Sequence, residues 1–166
     1  MEKRWIALYV ENQVGVLAKV SGLFSGKNYN LQSLTVGESE DETVSRMTIS
    51  VKSDDVTFEQ IKKQLNRMVE VIKVIDLSNV PIHMKEILYL RAKKVSPEDK
   101  AEAFRIAEVF GGEVIDIGTD SLILSCVQTE HRINELIALA KGTFKGGIEV
   151  TRGGSVAVES ISTSCR

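Results

Sequence analysis

In this 166-residue chain, the residue types best suited to chemistry are gathered in one turn, Glu11-Asn12-Gln13-Val14-Gly15-Val16-Leu17. The apolar run Trp5 to Val10 before it reads as a strand. Behind it, Val16, Leu17, Val20, Leu23 and Phe24 fall on one helical face. A strand-to-helix turn with a glycine at its tip lets a ligand approach the main chain closely. The first amides of the helix lack intrahelical acceptors, and the helix dipole adds about half a positive charge there. Such an end suits a small carboxylate. Asn12 offers a side-chain carbonyl beside it that can accept from an ammonium group. A carboxylate site and an ammonium site this close together describe a free amino acid. The same residues also fit a plain connection, with Gly15 as a turn residue and Asn12 as a helix cap.

The flanking elements must position this turn. Leu31 to Val36 reads as a second strand, and Gly37 to Glu42 as an acidic hairpin loop. Met47, Ile49 and Val51 alternate with Arg46, Thr48 and Ser50, the period of a half-buried strand. Thr57 and Gln60 resemble a capping box in front of a stripe of Phe58, Ile61, Leu65 and Met68, and Val71 to Ile75 is a fourth strand. The order strand, helix, strand, strand, helix, strand gives an α+β, ferredoxin-like domain over residues 1–77. Right-handed crossovers put strands one and three at its centre and strand two at an edge. Residues 78–86, with Pro81, read as a linker. The pattern then repeats over 87–166, with strands at Ile87–Ala92, Val114–Ile117, Leu122–Val127 and Ile148–Val150 and helices begun by Ser96-Pro97 and Thr129. Residues 153–166 read as a small polar tail, apart from a short strand at Val156-Ala157-Val158. Units this small bury little surface and expose strand edges, so strand two is expected to pair with its copy in a homodimer.

Composition excludes several classes. Hydrophobic content of 43% with 27% charge marks a globular protein, and a net charge of −2 gives no field favouring nucleic acid or an anionic membrane. The strand from Arg46 to Val51 has none of the aromatics of an RNA-recognition module. Cys126, Cys165, His83 and His131 lack metal-ligand spacing, and no apolar run could serve as a leader or cross a bilayer. A cytoplasmic location is expected. No catalytic constellation stands out, and the Glu11–Leu17 turn has no arginine of the kind an acylphosphatase-like enzyme needs.

Residues Leu8 to Val36, from Leu-Tyr-Val-Glu-Asn-Gln-Val-Gly-Val-Leu through Tyr-Asn-Leu-Gln-Ser-Leu-Thr-Val, closely resemble the ACT domain of the small regulatory subunits of acetohydroxyacid synthase (acetolactate synthase). The strand Ser45-Arg46-Met47-Thr48-Ile49 and the helix from Gln60 to Leu65 match the same family. The resemblance implies a regulatory subunit without catalysis or cofactor of its own. It would activate a large catalytic subunit holding thiamine diphosphate, Mg2+ and FAD, and confer feedback inhibition by valine or another branched-chain amino acid. It also implies an effector site between two ACT domains. Gly15, Val16 and Leu17 would offer amides to the carboxylate, Asn12 would hold the head group, and Val14 and Leu34 would wall the side chain. Asn30, with Leu31 beside it, would reach in from the other subunit. The alternative is a free-standing amino-acid sensor acting on another enzyme or a transcription factor.

Overall fold

The fold is a computed structural model that describes residues 1–161. Met1–His83 together with residues 156–161 form one compact unit, and Met84–Ser155 the other.

In the first unit, β1 (Glu2–Glu11), α1 (Val16–Gly26), β2 (Leu31–Glu38), β3 (Val44–Ser53), α2 (Asp55–Leu65) and β4 (Val71–Asp76) follow in the expected order. The sheet order is β2-β3-β1-β4, which puts β2 at an edge, and β3 is antiparallel to both β1 and β2. Alternate β1 residues Ile6, Leu8 and Val10 meet Val16, Val20 and Phe24 of α1, Met47, Ile49 and Val51 of β3, and Phe58, Ile61 and Leu65 of α2. Each large apolar side chain removed from water this way contributes about 1.5–3 kcal/mol before conformational entropy is set against it. The cap of α2 is Asp54, which accepts from the Thr57 amide at 2.7 Å, so Thr57 lies inside the first turn and is not the cap. A carboxylate one turn ahead outcompetes the threonine hydroxyl as acceptor.

β5 (Ile82–Lys93), α3 (Pro97–Phe110), β6 (Gly112–Ile117), β7 (Ser121–Gln128), α4 (Glu130–Thr143) and β8 (Ile148–Glu159), which apart from Ile82–His83 and Val156–Glu159 make up the second unit, repeat the topology, with sheet order β6-β7-β5-β8. Leu88, Leu90 and Ala92 of β5 pack with Leu122, Leu124 and Cys126 of β7 against Ala103, Ile106, Phe110, Ile133 and Leu136. Burial raises the Cys126 thiol above its ordinary pKa.

Two boundaries differ from expectation. β5 starts at Ile82, not Ile87, so the connection expected over 78–86 is largely strand. Glu86 hid the alternation: it is a charged residue on the buried face, 4% exposed, held by a two-pronged guanidinium contact from Arg152. Residues 153–159 complete β8, so the short strand expected at Val156-Ala157-Val158 is the end of a longer one, and the residues around it, expected in a loose tail, belong to it too. Gly153 lies where a Cβ would stand 2.7 Å from Ile87 Cγ2, so close strand packing requires the glycine that broke the sequence pattern. Cys165 lies outside the described residues. No helix among those described is long and apolar enough to cross a membrane.

Candidate functional site

Gly15 is the N-cap of α1 and takes a left-handed conformation, φ 88°, with no side chain closing the helix end. Space does not demand glycine here, because a Cβ would meet nothing within 4 Å; the backbone angle does. The Val16 amide donates to Gln13 O at 3.3 Å, and the first bond within the helix runs from Lys19 N–H to Gly15 O. The amides of Gly15, Leu17 and Ala18 therefore have no acceptor among the described residues, and the first turn holds no acidic residue. The open end belongs to Gly15, Leu17 and Ala18; of the expected Gly15, Val16 and Leu17, only Val16 is engaged. Counting all four initial amides would have brought in Ala18.

Asn12 is not a cap. Its Oδ1 accepts from Ser45 Oγ at 3.0 Å, and its Nδ2 donates to Glu42 O at 2.9 Å and to Glu38 Oε1 at 3.3 Å. It clamps the turn to the β2–β3 hairpin and leaves one lone pair of Oδ1 unused. The Asn12 amide N–H bonds Thr43 O at 2.7 Å, a second tie to the same hairpin. Ser45 and Glu38 were not anticipated, since contacts across 26 to 33 positions leave no local sequence signal. On the outer side of the turn, Lys19 pairs with Glu70 and holds that carboxyl below its ordinary pKa.

The remaining predicted residues fall into three groups. Val14 is fully exposed and Leu17 is 43% exposed beside the turn, whereas Val16 is buried in the core. Leu31 and Leu34 are half-buried on β2 against that core. Asn30 is exposed just before β2, its carbonyl accepting from Lys52 N–H at 3.3 Å. It borders a hollow of about 450 Å³ lined by Asn28, Tyr29, Lys52, Asp54 and Thr57, among others. Asn12–Gly15 and Asn30 stand at opposite ends of α1, whose 11 residues span about 16 Å. Within one chain they are not brought together.

No group of three or more His, Cys, Asp or Glu among the described residues has metal-binding geometry. Free amides and the Asn12 clamp are the polar groups gathered at this end of α1.

Comparison with known proteins agrees along the chain. Residues 6–73 match the model of the AHAS small subunit-like ACT domain, and residues 85–161 match that of the small subunit of acetolactate synthase. The acetolactate synthase small subunit of Aquifex aeolicus is 38% identical over 95% of this chain and 81% of its own length. The isozyme 3 small subunit of Escherichia coli is 34% identical over 93% of each chain. Among solved structures, the acetolactate synthase small subunit of Thermotoga maritima superposes with a TM-score of 0.85 at 33% identity, covering 96% of this chain and 98% of its own. With both units matched by the same family and the fold shared end to end, this chain belongs to the acetolactate synthase small subunits.

Proposed function

We propose that the chain is the regulatory subunit of an acetolactate synthase, that it activates the large catalytic subunit, and that it makes that subunit sensitive to valine or another branched-chain amino acid. The open N-terminus of α1 carries this reading. Unengaged amides at the positive end of a helix, with no acid of their own, suit an effector carboxylate. The spare lone pair of Asn12 and the Glu38 carboxylate beside it suit the ammonium.

The position of Asn30 follows from two-fold symmetry. Pairing the edge strand β2 with its copy sets two α1 helices side by side and antiparallel, so the Gly15 end of one lies by the Asn30 end of the other. Each homodimer then holds two shared sites. Binding of about 5–7 kcal/mol is enough for a sub-millimolar effector, and a few hydrogen bonds to charged groups supply it. An effector seated between subunits shifts an equilibrium by favouring one arrangement of the pair. On this reading thiamine diphosphate, Mg2+ and FAD reside on the large subunit, and the pair works in the cytoplasm.

The test is Asn30→Ala in the reconstituted enzyme. Valine inhibition should weaken by about tenfold or more while activation of the large subunit persists, as expected when hydrogen bonds to a charged ligand are lost. Unchanged valine sensitivity would sink the site assignment.

A further inference from the structure

On the helix-facing side of the first sheet, β2 and β3 pair Leu34 with Ile49, Val36 with Met47, and last Glu38 with Ser45. Residues in register share a face, so the apolar rows give way to a polar one at this end. Ser45 also pairs with Val10, two residues before Asn12, which sets the polar row beneath the turn that opens α1. Ser45 is 6% exposed, and its hydroxyl donates to Asn12 Oδ1. The other partners of Asn12 decide which way its amide faces. Glu42 O and Glu38 Oε1 only accept, so Nδ2 points to them and both of its protons are spent there. A reversed amide would set Oδ1 against two acceptors. Asn12 is left with one lone pair of Oδ1, so it can take a hydrogen bond but not give one. Glu38 has no Lys or Arg nitrogen within 4 Å among the described residues, and Lys19 nearby is engaged by Glu70. Tying the turn to the hairpin does not call for this arrangement, because the Asn12 main-chain N–H already bonds Thr43 O at 2.7 Å.

We propose that Ser45 is a positioning residue of the effector site. It holds Asn12 with only an acceptor to offer, beside the unpaired Glu38 carboxylate. The site therefore takes a protonated amine and turns away the 2-oxo acid of the same carbon skeleton. This rests on the effector reading above and adds to it the residue that sets amine recognition. An ammonium brings donors and positive charge to both oxygens. A ketone oxygen in its place only accepts, so it leaves the Asn12 lone pair unmet and stands against a carboxylate. A site built around a ligand N–H rejects an analogue lacking it more strongly than an apolar pocket rejects a missing methylene. Without the Ser45 hydroxyl the Oδ1 end of the amide loses its anchor, and the acceptor is no longer held in one place.

The experiment titrates the full chain calorimetrically with valine and with 2-oxoisovalerate, which share a carboxylate and a side chain. The wild type should prefer valine by about tenfold or more. Ser45→Ala should weaken valine about fivefold, leave 2-oxoisovalerate within about twofold, and so shrink the ratio of the two affinities. General loosening of the hairpin would weaken both ligands alike and leave that ratio where it was. Ser45→Thr should restore most of the ratio, since it returns a hydroxyl to a strand position that suits a β-branched residue. Glu38→Gln keeps an acceptor for Asn12 Nδ2 but lacks the charge, and should shrink the ratio about threefold. A wild type that binds both ligands alike, or a Ser45→Ala ratio within about twofold of wild type, overturns the proposal and leaves valine sensing intact. Should Ser45→Ala fail to fold, Ser45→Val set against Ser45→Thr decides, because the two differ in the hydroxyl and hardly in shape. Equal ratios in that pair overturn the proposal. Silence from valine in the wild type would retire the effector reading itself, and this one with it.

Discussion

α1 and α3 are the first crossover helices of two units with one topology, yet their N-termini are built in opposite ways. Ser96 caps α3, accepting from Asp99 N–H at 3.1 Å while the Asp99 carboxylate accepts from Ser96 N–H at 2.9 Å, and Pro97 starts the helix. Every element there serves the helix itself. α1 has a left-handed glycine, no capping side chain and no acid in its first turn. α2 and α4, capped by Asp54 and Thr129 with Asp55 and Glu130 behind them, resemble α3. A helix end can be completed from within or left for a ligand to complete, and only α1 among the four is left open.

The largest expected effect removes the inward polar pairing of the second unit. Arg152→Ala strands Glu86, whose side chain is 3% exposed, and should cost about 3 kcal/mol in urea unfolding, near the low end for a buried pair because Arg152 is partly wet. Valine binding should not change. Gly15→Val comes next: a β-branched residue at φ 88° strains the backbone by about 1–2 kcal/mol and displaces the free amides. Calorimetry should show valine affinity down by about tenfold or more.

Closing the open end sharpens the contrast. Ser96→Ala should cost about 1 kcal/mol of stability and leave effector binding alone. Ala18→Glu adds an acid to the first turn of α1 and should stabilise it by about 0.5 kcal/mol in thermal melts. It should also weaken valine binding severalfold by placing a carboxylate where the effector's belongs. Stability and binding would then move in opposite directions, unlike in α3.

The smallest effect concerns acid. The Thr57 amide holds the Asp54 carboxyl below its unfolded value of 3.8. A depressed folded pKa contributes stability above the unfolded value and loses it as pH falls through the folded one. Amide exchange at the start of α2 should therefore accelerate below pH 3.8. The start of α4, capped by a hydroxyl that does not titrate, should lag behind.

The fold was legible wherever apolar periodicity was unbroken. Ile6, Leu8 and Val10, the Met47–Val51 alternation and the start signals Ser96-Pro97 and Thr129 placed their elements correctly. It was hidden at Glu86 and at Gly153, where a paired charge and a close strand contact replaced the expected apolar residues. Of the site, the glycine turn was readable because φ preference is a local property. The Ser45–Asn12–Glu38 clamp was not, because strand pairing alone creates it. Nor could periodicity show that Asn12 and Asn30 lie at opposite ends of α1, so that the proposed effector site requires two chains to bring them together.

That last point is the central claim, and a mixing experiment tests it most directly. Gly15→Val and Asn30→Ala chains, each unable to bind valine alone, are unfolded together in equal amounts, refolded and titrated with valine. A site shared across the two-fold predicts that mixed dimers regain one intact site apiece, restoring about a quarter of wild-type binding stoichiometry. No recovery from the mixture, with both variants folded and dimeric, would contradict a site shared between chains.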